Sequence, residues 1–269
     1  MALTDKLTAI ANAIREKTGK TEKLSLDEMP TAIESIQSGD SSGTDTLVDY
    51  ILGKPTKVVS DEVTSLGIRL QGKQIKEINL PNLTTITSDP YLIYHTGVTS
   101  LDFPKLVNMA SNSMYNNETL VTLNLSAFVG SDGYTKGLGC AYCNQLKNVN
   151  IPKVQYLDKE GFSSCTKLER LDFPSVIQIN NTSYQHPFQD CTHLTVLILR
   201  TSQVVKLVDS TNLFQYCPIK NGGYNELQGY IYVPKALIED YKVATNWSVY
   251  ADKFRAIEDY PDICGEVAQ

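Results

Sequence analysis

The sequence predicts a solenoid of stacked coils, one short parallel strand per coil with a mostly irregular convex side, and two observations predict it. Seven short apolar segments recur: Ile78-Asn79-Leu80-Pro81, Leu101-Asp102-Phe103-Pro104, Leu123-Asn124-Leu125-Ser126, Val149-Asn150-Ile151-Pro152, Leu171-Asp172-Phe173-Pro174, Leu197-Ile198-Leu199-Arg200 and Ile231-Tyr232-Val233-Pro234. Their first residues lie 23, 22, 26, 22, 26 and 34 positions apart. That is the period of a leucine-rich repeat with loop insertions. Upstream of each strand runs a second pattern, clearest in Phe162-x-x-Cys165-x-x-Leu168-x-x-Leu171-x-Phe173 and Phe188-x-x-Cys191-x-x-Leu194-x-x-Leu197-x-Leu199.

The chain divides into 1–37, 38–46, 47–229 and 230–269. In the first part Leu3, Leu7, Ile10 and Ile14 share one seam of a helix that Gly19 would end. Met29, Ile33 and Ile36 mark a second short helix, with Ser25 and Glu28 in capping-box form. Two such helices are too small for a core of their own. They are expected to self-associate with copies from other chains or to meet a larger partner; the alternative is that they fold back and cap the solenoid. The stretch from Gln37 to Asp45 is Gly- and Ser-rich and reads as a flexible linker.

The solenoid begins with an irregular coil in which Val58, Val63, Leu66 and Ile68 prepare the rung at Ile78. Cys143, Cys165, Cys191 and Cys217 occupy equivalent positions, and Asn117 substitutes for the thiol one coil earlier. Stacking places these side chains above one another as a structural ladder, where they fill space and satisfy turn carbonyls of the neighbouring rung. Four of the six cysteines are thereby assigned to buried free thiols. Cys140-x-x-Cys143 is an isolated pair; a zinc or redox role needs a second pair or a correctly spaced His, and neither follows. Arg200 stands where Pro is usual, and the longer gap before Ile231 implies an irregular rung over 200–228. Beyond Tyr230 the last strand leads through Pro234 into a helix around Ala236 to Ala244, and Trp247, Tyr250 and Phe254 are placed to cover the final rung as a C-terminal helical cap.

The F-x-x-C-x-x-L-x-x-L-x-F-P coil, the Asn/Cys ladder and the ending from Ile231 to Tyr241, followed by Ala244-Thr245-Asn246-Trp247, resemble BspA-like leucine-rich repeat proteins over about residues 58–260. The opening Leu3-Thr4-Asp5-Lys6-Leu7-Thr8-Ala9-Ile10-Ala11, with Ile14-Arg15-Glu16-Lys17-Thr18-Gly19 and Leu24-Ser25-Leu26-Asp27-Glu28-Met29-Pro30, is similar to the N-terminal module of tail or minor structural proteins of phages and prophages from Gram-positive gut bacteria. The resemblance implies a surface or virion binding protein.

Composition narrows the partners. A net charge of −6 and a pI near 5.2 leave no basic stripe for nucleic acid. No apolar run is long enough for a membrane span, and the segment from Leu7 to Ile14 is interrupted by Asn12 and runs into charge, unlike a secretion signal. Only His95, His186 and His193 are present, no Ser-His-Asp set is identifiable, and Thr18-Gly19-Lys20-Thr21 lacks the preceding Gly of a phosphate loop. No cofactor is implied.

The expected function is therefore non-enzymatic binding to a protein or glycan on a bacterial or host surface, as a phage tail-associated protein or surface adhesin. The alternatives are a purely structural virion or surface-layer component and, last, a carbohydrate-active enzyme. Alternation along the strands puts Asn79, Asp102, Asn124, Asn150, Asp172, Ile198 and Tyr232 in one outward column, whose polar members and Tyr232 are candidate binding residues. Tyr134, Tyr142, Tyr184 and Tyr224, in or near the longer connections, are the other candidates, and the insertions 126–139 and 180–187 are the first to test.

Overall fold

The computed structural model describes residues 56–265 except 68, 87–90, 111, 131–137, 158 and 183–185. The N-terminal helices, their seam residues Leu3, Leu7, Ile10 and Ile14, and the linker lie outside the described residues.

Three hydrogen-bonded ladders run along the described coils. The first holds the seven predicted strands, Glu77–Asn79, Ser100–Asp102, Thr122–Asn124, Asn148–Asn150, Arg170–Phe173, Val196–Leu199 and Tyr230–Val233, and two outside the predicted set, Lys57–Val59 in the irregular first coil and Phe254–Ala256 in the cap. Every pairing among them is parallel, and the register stacks Leu101 on Leu123 on Val149, and Leu171 on Leu197 on Ile231 on Phe254. A parallel pair needs a long return path, which the rest of each coil supplies without a helix. The second ladder joins two-residue strands, with Tyr156–Leu157, Gln178–Ile179 and Lys206–Leu207 forming one sheet. The third begins with Leu70–Gln71 beside Ile93–Tyr94 and continues as single backbone bonds: Asn116 N–H to Ala141, Tyr142 to Ser163, Ser164 to Gln189 and Asp190 to Gln215.

The spacing of three in the sequence pattern has a local cause. Phe162 C=O accepts from Cys165 N–H at 3.0 Å, and Cys165 C=O accepts from Leu168 N–H at 3.1 Å, so successive β-turns share their corner residues. Corner residues point inward: Phe162, Cys165, Leu168, Leu171 and Phe173 are all buried. After the strand the prolines do the same work. Leu80 C=O accepts from Leu83 N–H at 3.1 Å, with Pro81 at the second turn position, where its fixed φ is pre-set. Each fully buried Leu or Phe contributes roughly 1.5–3 kcal/mol, and one continuous core runs from Leu66 to Phe254. Coils approach closely enough that a Cβ on Gly139 would lie 2.1 Å from the Asn112 nitrogen, which excludes any side chain there.

At the C-terminus α-helix is confined to two short segments, α1 (Ile238–Val243) and α2 (Pro261–Cys264), rather than one helical cap. The covering is aromatic. Trp247 and Tyr241 are fully buried and Tyr250 nearly so. Their polar atoms replace a missing next coil: Trp247 Nε1 donates to Val205 C=O at 2.6 Å, Tyr241 Oη accepts from Val205 N–H at 3.0 Å, and Asn246 Nδ2 donates to Leu207 and Val208 at 2.9 and 3.0 Å. The exposed edge of the Lys206–Leu207 strand is thus closed by side chains. The irregular rung over 200–228 holds a tight turn, where Asn225 and Glu226 both have positive φ and Tyr224 bridges Leu227, as in a two-residue hairpin.

Candidate functional site

The interior ladder is polar and fully satisfied. Asn117 Oδ1 accepts from Thr96 N–H at 2.9 Å and Thr96 Oγ1 at 2.7 Å, while Nδ2 donates to Ile93 and Met114 carbonyls at 2.8 Å each. In the following coils thiols take over: Cys143 Sγ donates to Met114, Cys165 to Cys140, Cys191 to Phe162 and Cys217 to Leu194, at 3.4, 3.3, 3.1 and 3.6 Å. All six cysteines, Cys140 included, are free and buried. Burial pushes the Cys143 and Cys217 thiols up to about 12 and those of Cys140, Cys165 and Cys191 well above their ordinary range. Thiols held protonated in this way are neither nucleophiles nor ready metal ligands. Among the described residues, no three His, Cys, Asp or Glu side chains converge as a metal site.

The outward column has two halves. Asn79, Asp102 and Asn150 are exposed and Asn124 half-buried. Asn124 Nδ2 donates to Asp102 Oδ1 at 2.7 Å, and Asn150 Nδ2 donates to Asn124 Oδ1 at 2.8 Å, so three coils present a bonded row of amides and a carboxylate. Further on the column is covered. Ile198 and Tyr232 are 0% and 3% exposed, packed against Ile257 and Cys264 in a small second core. Tyr232 is therefore not an outward binding residue: the chain turns back after Phe254–Ala256 and lays α2 over it. Arg200 explains its own departure from Pro. Its Nε and one terminal nitrogen grip both Asp172 oxygens at 2.8 and 2.7 Å, and its guanidinium also donates to Cys264 C=O; Arg170 donates to Asp172 and Ile263 C=O. Asp172 is thus committed to holding the C-terminal turn.

Of the loop tyrosines, Tyr134 and Tyr184 lie outside the described residues. Tyr224 packs edge-on against Tyr216, with Lys220 above its ring. Tyr142 belongs to a cluster whose other members the sequence did not single out. Tyr91, Tyr94, Tyr115 and Tyr142 meet with ring centroids 5.1 to 6.3 Å apart, beside His95. Burial, together with its side-chain hydrogen bond to Tyr142, raises the Tyr115 phenol to about 12. The residue before each ladder position is left-handed: His95, Asn116, Tyr142, Ser164, Asp190 and Tyr216 have φ between 51° and 62°. From Tyr142 onward it is the third residue of the F-x-x-C turn, or of its Cys140 counterpart, where a type II turn requires positive φ.

The histidines are separate. His95 Nδ1 faces Asn116 at 3.2 Å, His186 Nδ1 faces Asn181 at 3.0 Å, and His193 Nδ1 meets Thr166 C=O at 2.6 Å. Burial lowers His186, keeping it neutral against Asn181.

Residues 139–229 match the family described as BspA type Leucine rich repeat region (6 copies). The chain is similar to that family across the coils carrying the Cys ladder, and the parallel stacked coils agree with it. Repeats of this type suggest a surface or protein-binding role, and a solenoid of this type is typically non-catalytic. No curated protein matches the chain. Among the described residues no helix is long and apolar enough to cross a membrane.

Proposed function

We propose that the protein is a non-enzymatic attachment protein: residues 1–37 anchor or oligomerise it, 38–46 tether it, and the solenoid recognises a protein or glycan on a cell surface, as a phage tail-associated protein or adhesin. The observation that carries this reading is the row Asp102, Asn124 and Asn150, three polar side chains displayed on successive strands and fixed by bonds of 2.7 and 2.8 Å. Pre-ordered polar groups bind without a further loss of side-chain entropy. The similarity to BspA type repeats supports a binding role, and the likeness of the N-terminal segment to tail proteins supports the virion setting.

The test is binding of fluorescently labelled full-length protein to a panel of Gram-positive gut bacteria and to epithelial cells. Saturable binding that falls when Asn124 and Asn150 are both changed to Ala is expected. Absence of binding to every cell type, with intact folding, would contradict the proposal.

A further inference from the structure

The tyrosine cluster is not explained by the fold. Position 142 is the third residue of a turn that favours Gly or Asn, and the equivalent residues in the next three coils are Ser164, Asp190 and Tyr216; Tyr142, at φ 62° and 43% exposed, differs from Tyr216 in extending a run of three other tyrosines from the preceding coils. Tyr91 is likewise left-handed, at φ 65°. A bulky side chain in that backbone region costs free energy, and an exposed ring recovers little of it by burial. Strain of this kind gathers at functional sites.

The chemistry of the edge narrows the ligand. Its backbone groups are used in the third ladder, with Ile93 N–H bonded to Ser113, Asn116 to Ala141 and Tyr142 to Ser163, so an extended peptide finds no open strand to join. Side chains alone remain: four phenol rings, the Asn116 amide beside His95, and the Asn112 amide, which donates to Glu160 at 2.9 Å. At the rim Glu118 is paired with Lys73 at 2.9 Å, and the Glu160 carboxylate beside Asn112 adds negative charge, which disfavours an anionic ligand. Tyr94, Tyr115 and Tyr142 come from three successive coils, so the rings extend along the stack.

We propose that Tyr91, Tyr94, Tyr115 and Tyr142 form a binding site for a neutral oligosaccharide, the rings packing on the apolar C–H faces of hexose or N-acetylhexosamine units and the Asn112 and Asn116 amides bonding their hydroxyls. This deepens the attachment reading and rests on it, adding this edge to the strand column as a second place of ligand contact.

The experiment places full-length protein on an array of neutral hexose and N-acetylhexosamine oligosaccharides. Tyr142→Asn, which suits the turn and removes the ring, should keep or raise the melting temperature while weakening binding by about tenfold or more. Tyr216→Asn relieves the same turn position outside the cluster and should leave binding unchanged. Failure of every neutral oligosaccharide to bind, or equal binding by the wild type and Tyr142→Asn, overturns the site. If cells are bound but protease treatment of the cells abolishes it and free oligosaccharides do not compete, the ligand is a protein; the glycan inference then falls while the attachment reading survives. Oligosaccharide binding that depends on Tyr142, with no cell bound, would keep the site and remove the attachment role.

Discussion

Raising the pH should unfold this protein through its interior ladder. Five buried thiols, Cys140, Cys143, Cys165, Cys191 and Cys217, are held protonated by burial, two of them with pKa values near 12 against an ordinary 9.0. A group whose folded pKa lies above its unfolded one contributes stability that is complete below the unfolded value and is lost as pH rises toward the folded value, so the window opens at pH 9. At pH 10 the unfolded chain gains roughly 1 kcal/mol per thiol from ionisation that the folded chain cannot match, about 5–7 kcal/mol for the five together. That rivals the whole stability of an ordinary domain, roughly 5–15 kcal/mol. Urea midpoints measured by circular dichroism should be nearly level between pH 7 and 8.5 and fall steeply by pH 10, with iodoacetamide labelling of the thiols appearing only as structure is lost. Cys191→Ala should reduce the steepness by its one-fifth share. A midpoint that stays level to pH 10.5, or thiols that react in the folded state at pH 8, would refute the reasoning.

Three further outcomes follow from individual contacts. Asn117→Ala removes a buried side chain making four hydrogen bonds and should cost about 3–5 kcal/mol in chemical unfolding, with Asn117→Cys recovering part of the loss because a thiol serves the same place in the next coil. Arg200→Ala should release the segment Ile257–Cys264, read as faster amide exchange there and new solvent exposure of Tyr232, with Trp247 undisturbed. Asp190 has its carboxyl raised above the ordinary 3.8 by burial, so the stability linked to its protonation is present below that pH and gone at neutrality. Asp190→Asn, also suited to φ 59°, should raise the melting temperature at pH 7 and make little difference below about pH 4.

The first ladder and the cysteine row were legible because both belong to a pattern with fixed offsets inside each coil, the ladder position standing six residues before the strand's first apolar anchor from Asn117 to Cys191. The other two ladders were not, since strands of two residues carry no periodic signature and their bonds link backbone alone. Thr96 meets Asn117 as the Cys residues meet their neighbours, but the turn after it is one residue shorter and the template slips past it. Tyr91, Tyr94 and Tyr115 escaped notice for a related reason: only the turn geometry shows that residues just before the ladder position share an edge with Tyr142. Tyr232 misled because alternation within a strand places it outward, and the covering by Ile257 and Cys264 comes from a return of the chain that no local pattern encodes. Arg200, seen in the sequence as a departure, is explained by that same return.

Crystals of the protein examined for the anomalous signal of its native sulfur would test the stacked-coil account most directly. Peaks for Cys143, Cys165, Cys191 and Cys217 should form a single file with steps of about 5 Å, the separation of hydrogen-bonded neighbouring strands. Sulfurs scattered off that line, or joined in pairs at bonding distance, would contradict it.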